Sequence, residues 1–399
     1  MRQRAASFLG TLFVKVSLLD TDEDLLSRVA ALSPPLASQG LVRGGCSSAQ
    51  LLSAAVGERG SGALRALALK LLDGESLSEG DAHALGRCLF DKDDCVDLQV
   101  LCMHLLRVRY ETPDEWRGLL RAQQETVGGA GKAGGGKRVV QIADPFDGTH
   151  KSDAFSPLIA KHLQERWHVV AVGQCGLSSG PKYGPNLRDI SVSLGEGDAP
   201  FVGGGKADFG GEAPLFGWYA DQSDVSGALD RWVSLRRNII KRPFLATSEK
   251  FVNPFGAEIL LASAFHPSFG EKMFDMAETA SEFKACVIVR KGTEGSTSMS
   301  LSRNAEFLVG VRRDGVSSMD RYHFEFGPSD LGMDTVPEKD QQYEITTDTV
   351  VAKIKAHAEK GSSGDEMFDK RVKVTCAAMD VAMAFIDKGE KLKEEVKSS

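Results

Sequence analysis

A chain of 399 residues can bury one large core or two ordinary ones, since domains run to roughly 100–200 residues each. Hydrophobic residues make up 42% and charged residues 26%, a globular balance that excludes a disordered chain and one embedded in a membrane. The net charge of -7 excludes a surface that is basic throughout, so a nucleic-acid contact would need a local cluster of Lys and Arg.

In chain order, residues 1–60 come first. Arg2, Arg4 and Lys15 occur there with no acid before Val16, and Glu58 is the only carboxylate across 25–72. This composition suits an organellar leader and equally a flexible segment beside an alanine-rich helix. The first reading implies an organelle and the second the cytoplasm. The apolar run 8–19 is broken by Lys15 and is shorter than the ~20 residues a spanning helix needs, so no membrane partner is expected.

Over 61–127 the pattern is helical, with Leu64, Leu67, Ala68, Leu71 and Leu72 at spacings of three and four before a break at Asp73-Gly74. Ser78 with Asp81 is a candidate cap. Thr112-Pro113-Asp114-Glu115 places a cap, a first-turn proline and a capping-box glutamate in register. Cys88, Cys95 and Cys102 recur every seven residues, which reads as buried small hydrophobes on a helix rather than metal ligands. The seven cysteines are odd in number and contain no C-x-x-C pair, so neither a disulfide framework nor a zinc ribbon is indicated.

The glycine-rich stretch 128–136 reads as a flexible connection and a domain boundary. Beyond it, β-branched runs alternate with helical stretches: strands at 139–142, 169–172, 259–264 and 285–289, and helices at 154–166, 227–237, 271–280 and 368–387. Such βαβ alternation predicts an α/β fold with a mainly parallel sheet. A second glycine-rich stretch, 195–211, is a lid over a site or, more simply, a surface insertion.

Loops at the carboxyl ends of parallel strands are where such folds bind anions, because backbone N–H groups point there. Two loops have the right composition. Asp144-Pro145-Phe146-Asp147-Gly148-Thr149-His150-Lys151-Ser152 follows the first strand. Gly173-Gln174-Cys175-Gly176-Leu177-Ser178-Ser179-Gly180-Pro181-Lys182-Tyr183-Gly184 follows the second, and its glycines, hydroxyls and lysine suit a phosphate cradle.

Short segments then match a known family in consistent order over about 64–388. Leu71-Leu72-Asp73-Gly74-Glu75 and Arg107-Val108-Arg109-Tyr110-Glu111-Thr112-Pro113 look like its opening helices. Arg242-Pro243-Phe244, Thr247-Ser248-Glu249-Lys250, Asn253-Pro254, Phe265-His266-Pro267 and Lys291-Gly292-Thr293-Glu294-Gly295 follow. On these residues the chain resembles the anthranilate phosphoribosyltransferase-like glycosyltransferases, and their divergent relatives more than the enzymes of tryptophan biosynthesis. The resemblance implies a small, discontinuous helical domain, 61–127 with a later contribution around 224–255. It implies a larger α/β phosphoribosyl-binding domain over 138–223 and 256–390, and a homodimer. It also implies a reaction in which an amine such as anthranilate displaces pyrophosphate from C1 of phosphoribosyl pyrophosphate, with Mg2+ as cofactor.

By the same resemblance, Asp147, Gly148, Thr149, Ser152, Gly173, Ser178, Ser179 and Lys182 are the phosphate- and ribose-binding residues, and Arg242 meets the acceptor's carboxylate. The chain departs from the family's pattern in three places. Of the pyrophosphate loop G-T-G-G-D-G only Asp147 and Gly148 remain, with Pro145 and Phe146 replacing glycines. Gln174 and Cys175 replace the Asn-Arg of the second loop. The metal-binding D-G-x-D-E falls on Glu294-Gly295-Ser296-Thr297-Ser298, so the paired carboxylates for magnesium are absent and Glu294 is the one remaining candidate ligand.

The alternative is a non-catalytic relative that binds a phosphorylated ligand or nucleic acid, for which Arg231, Arg236, Arg237, Lys241 and Arg242 form a basic cluster or a solvated helix face. His266 ahead of Pro267 reads as structural rather than catalytic.

Overall fold

A computed structural model describes residues 11, 47–127, 136–180, 182–195, 201, 213–239, 242–279, 282–337 and 345–391. Most of residues 1–60, residues 128–135 of the connection, nearly all of the glycine-rich stretch 195–211 read as a lid or an insertion, and Lys241 lie outside the described residues. The chain divides into two compact units, Met1–Gln123 with Ser234–Leu245, and Gln124–Val233 with Ala246–Ser399.

The first unit is helical. Its elements are α1 (Ser48–Val56), α2 (Gly62–Leu72), α3 (Glu79–Phe90), α4 (Val96–Arg109) and most of α5 (Pro113–Gln124). Ser61 and Ser78 cap α2 and α3 by accepting from the N–H groups of Leu64 and Asp81. The capping box of α5 forms as its sequence predicts: Thr112 N–H donates to Glu115 Oε2 at 2.8 Å and Glu115 N–H to Thr112 Oγ1 at 3.3 Å. Glu115 also accepts from Leu77 N–H at 2.9 Å and pairs with Arg109, so one carboxylate ties three segments together. A Cβ on Gly118 would stand 2.3 Å from the Glu79 carbonyl oxygen, which is why α5 can lie against α3. Of the heptad-spaced cysteines, Cys102 is buried and Cys88 and Cys95 are half-buried; all three are free thiols.

The second unit is built on a seven-stranded sheet, β1 (Val139–Ala143), β2 (Val170–Cys175), β3 (Trp218–Asp221), β4 (Ile259–Ala264), β5 (Ala285–Arg290), β6 (Ala305–Arg312) and β7 (Met319–Phe326). Their spatial order is β3-β2-β1-β4-β5-β6-β7. The first five pair in parallel, whereas β6 and β7 join antiparallel. β1, β2, β4 and β5 occupy the four runs predicted as strands. The sequence reading missed β3, β6 and β7, and with them the antiparallel edge.

The parallel strands are buried on both faces, so they read as apolar runs. One face, including Val140, Ile142, Leu261, Val287, Val289 and Phe307, packs under α6 (Ser156–Trp167), α9 (Thr347–Lys360) and the 23-residue α10 (Glu366–Lys388). α8 (Pro267–Thr279) covers the other face at β4, β5 and β6. Gln141 also points to that face, where its Nε2 donates to the carbonyls of Lys250 and Val252, both at 2.9 Å, and to Gln174 Oε1 at 3.1 Å. This buried amide fastens β1 and β2 to the segment ahead of β4.

Candidate anion site at the strand ends

Three loops of the second unit meet at the carboxyl ends of β1, β2 and β5. The first, 144–155, runs from β1 into α6. The second, 176–186, runs from β2 into α7 (Leu187–Leu194), and the third, 291–304, runs from β5 to β6.

Asp144 anchors the first loop to the third. It is fully buried at the tip of β1, where it accepts from Ser156 Oγ and, at 2.8 Å, from the N–H of Thr297. Burial pushes this carboxyl up from the usual carboxylate range, against the hydrogen bonds from Ser156 and Thr297 and the charge of Lys250. The loops also touch through glycines. Gly148 sits at φ 68°, and a Cβ there would stand 2.3 Å from the Gly184 carbonyl oxygen and 2.5 Å from that of Pro185. Gly295, at φ 93°, passes the Gly148 carbonyl so closely that a Cβ would stand 2.4 Å from its oxygen.

The backbone donors of these loops are turned onto neighbouring oxygens. Gly148 N–H donates to Pro145 O at 3.2 Å, Thr149 N–H to Pro185 O at 3.2 Å and Gly184 N–H to Asp147 O at 3.1 Å. The N–H groups of Lys151 and Ser152 both donate to Thr149 Oγ1 at 3.3 Å. A pyrophosphate cradle presents such donors outward. Here those of Thr149 and Gly184 join the first loop to the second, and those of Gly148, Lys151 and Ser152 close turns within the first.

Charge at the site is carried by side chains. Lys182 Nζ lies 3.1 Å from Glu294 Oε1 and 4.0 Å from Asp147 Oδ2, while Lys151 Nζ lies 3.2 Å from Glu294 Oε2. His150 Nε2 stands 2.6 Å from the Lys182 carbonyl oxygen and fixes the second loop beside the first. Lys182 is largely buried, whereas Lys151 is 79% exposed. Burial pushes the Glu294 carboxyl up, but Lys182 and then Lys151 outweigh it and hold the group below the usual carboxylate range.

The structure brings most of the sequence-predicted site residues together. Asp147, Gly148, Thr149 and Ser152 are buried or enclosed in the first loop, Ser178, Ser179 and Lys182 lie in the second, and Glu294 in the third. Gly173 lies within β2, between Ile142 and Tyr219 in register, and a Cβ there would meet Leu187 at 2.9 Å and Tyr219 at 3.0 Å, a packing constraint. Arg242 belongs to the helical unit and is exposed there. Of the basic cluster, Arg236 and Arg237 share that unit, with Arg236 buried, and Arg231 belongs to the other. His266 accepts from Gly270 N–H at 3.3 Å through its backbone carbonyl, a helix-start role.

Sequence reasoning overlooked Asp144 and Lys151 as site residues. Asp144 carried a signal, an acid directly following a wholly apolar strand end. Lys151 carried none beyond its place in the loop.

Magnesium does not fit the donor set at 294–298. Both oxygens of Glu294 face ammonium groups, and Ser296, Thr297 and Ser298 offer buried hydroxyls where a hard cation takes carboxylates. Among the described residues no group of three or more His, Cys, Asp or Glu is placed to hold a metal ion. No described helix is long and apolar enough to cross a membrane.

No family model matches the chain. An uncharacterised protein of Aquifex aeolicus is 23% identical over 222 residues, so the match spans 55% of this chain and 64% of that relative's length. Among solved structures, anthranilate phosphoribosyltransferase from Thermus thermophilus superposes with a TM-score of 0.57 at 18% identity, over 84% of this chain and 93% of that one. The Saccharomyces cerevisiae enzyme in complex with PRPP and Mg gives 0.61 at 12% identity, over 84% and 92%.

Proposed function

We propose that this chain, which has the fold of the anthranilate phosphoribosyltransferases, holds the phosphate groups of a ribose compound of the phosphoribosyl pyrophosphate class at the ends of β1, β2 and β5. The observation that carries this reading is the convergence of Lys151 and Lys182 on one carboxylate, at 3.2 and 3.1 Å, at the carboxyl edge of a parallel sheet. A position where two ammonium groups from different loops grip two oxygens of an anion is suited to a phosphoryl group, which presents its oxygens in a similar fork. Thr149, Ser152, Ser178 and Ser179 lie in the same loops and supply hydroxyls for the phosphate, and Asp147 supplies a carboxylate for the hydroxyls of a ribose. A small phosphorylated ligand is favoured over nucleic acid because Arg236 is buried and the described basic residues divide between the two units.

Turnover is the second reading, favoured by the fold. An acceptor amine would attack C1, the bond from C1 to the pyrophosphate oxygen would break, and the amine's proton would pass to solvent. Lys151 and Lys182 would carry the charge that develops on the departing pyrophosphate. The role of Arg242 toward an acceptor such as anthranilate belongs to this reading and rests on the resemblance alone.

Isothermal titration of the full chain with phosphoribosyl pyrophosphate, with and without magnesium, tests the first reading. Saturable binding that Lys182→Ala weakens by about tenfold or more supports it, that factor corresponding to one charge-assisted hydrogen bond. Heats indistinguishable from dilution under both conditions would remove it. Pyrophosphate release with anthranilate then tests turnover.

A further inference from the structure

Asp147 and Glu294 leave the strand-end site close to electrically balanced. Lys182 faces both carboxylates and Lys151 faces Glu294; among the described residues no other carboxylate pairs with either ammonium group. A phosphate ligand therefore meets a site whose two cations already hold an anion. That anion differs from Asp147 in its attachment. The Asp147 side chain is only 6% exposed, whereas that of Glu294 is 32% exposed and rides on the third loop beside Gly295, whose φ is 93°. Glu294 spans the gap between the first and second loops with one oxygen on each lysine, the arrangement a phosphoryl group would adopt.

We propose that Glu294 is an internal competitor for the phosphate position: its carboxylate occupies Lys151 and Lys182, and a phosphate ligand binds by displacing it, with the two lysines serving in place of a divalent cation. The proposal rests on the phosphate-site reading above and adds to it a specificity determinant. It also explains the misfit with magnesium, because the oxygens that a metal would need are committed to ammonium groups. Displacement costs Glu294 two ion pairs, so the wild-type site selects ligands that return at least as much charge. A di- or polyanionic phosphate returns more charge than Glu294 gives up, whereas a monoanionic carboxylate only matches it and gains nothing over the side chain already in place. Hydrogen bonds to the incoming phosphate strengthen as its charge rises, which favours pyrophosphate over orthophosphate.

Inorganic pyrophosphate is the probe, titrated calorimetrically into the full-length wild type and Glu294→Gln, first in EDTA and then in magnesium. Glutamine keeps the shape of the side chain and removes the competing charge. The expected result is binding at least about tenfold tighter in E294Q than in the wild type, in EDTA as well as in magnesium, one charge-assisted hydrogen bond being worth about that factor. Adding Lys182→Ala to E294Q should abolish the gain. Glu294→Ala is measured beside it, with thermal melting of each protein, so that a folding failure in one variant leaves the comparison intact.

Equal affinity of wild type and both variants would overturn the competitor role and leave the phosphate site standing. Weaker binding in the variants, seen only with magnesium, would overturn it by making Glu294 a metal ligand. If neither wild type nor variant binds pyrophosphate, the phosphate-site reading fails and this inference with it.

Discussion

Gly148 and Gly256 both have positive φ, 68° and 64°, yet they differ in surroundings, and that difference isolates how much the strand-end loops depend on backbone contact. A Cβ on Gly256 meets nothing within 4 Å, so Gly256→Ala should cost only the left-handed backbone penalty of about 1–2 kcal/mol, less about 0.4–1 kcal/mol for stiffening the unfolded chain. A Cβ on Gly148 would stand 2.3 Å from Gly184 O and 2.5 Å from Pro185 O, roughly an ångström inside ordinary contact. The second loop would have to retreat, straining the bonds from Thr149 N–H to Pro185 O and from Gly184 N–H to Asp147 O. Overpacking of about 1–3 kcal/mol and about 1 kcal/mol for each hydrogen bond bring the expected loss for Gly148→Ala to about 3–5 kcal/mol beyond the backbone penalty it shares with Gly256→Ala. At roughly 2–4 °C per kcal/mol that excess should lower the transition of the α/β unit by about 6–20 °C beyond the shift for Gly256→Ala, which is itself at most about 6 °C. Scanning calorimetry on the two full-length variants reads this directly. Equal shifts would refute the contact argument and free Gly148 for a role toward a ligand alone.

Two further outcomes follow from buried carboxylates. Because burial raises the Asp144 carboxyl in the folded state, its contribution to stability is fully present below the ordinary carboxylate range and is lost as pH rises through the raised value. Asp144→Asn keeps an acceptor for Thr297 N–H and does not ionise, so its melting temperature relative to wild type should climb as pH rises above the ordinary aspartate value of about 4; a difference flat with pH would contradict the assignment. Asp153, fully buried, stands 3.4 Å from Arg371, whose side chain is 1% exposed, and 3.4 Å from Lys353. Asp153→Ala should cost about 3–5 kcal/mol by removing a buried counter-charge of the Arg371 guanidinium, and Asp153→Ala with Arg371→Met should recover part of that loss. Denaturant melts of the single and double variants decide it, with simple additivity counting against a buried pair.

Local chemistry made much of the fold legible in the sequence. The capping box at Thr112 and Glu115 is written in four consecutive residues, and the strands at 139–142, 169–172, 259–264 and 285–289 show as apolar runs because a parallel sheet buries both faces. β7 was missed because its outward positions are polar: Asp320, Arg321, His323 and Glu325 break the run, although Asp314-Gly315 between β6 and β7 is a hairpin signal. β3 is only four residues long and announces itself weakly.

The candidate site divides along the same line. Which loops face the carboxyl edge followed from the order of strands and helices, since in a βαβ unit each such loop must emerge there. Whether their donors and charges point at a ligand or at each other is a matter of distance between segments far apart in the chain, which only packing fixes. The loop compositions alone are compatible with an open phosphate cradle. Tertiary structure turned the N–H groups of Thr149 and Gly184 onto carbonyls of the other loop and set Glu294 between Lys151 and Lys182. The physical reason is that a hydrogen bond or an ion pair is specified by the approach of two atoms, and residue types along one stretch of sequence state only which atoms are available.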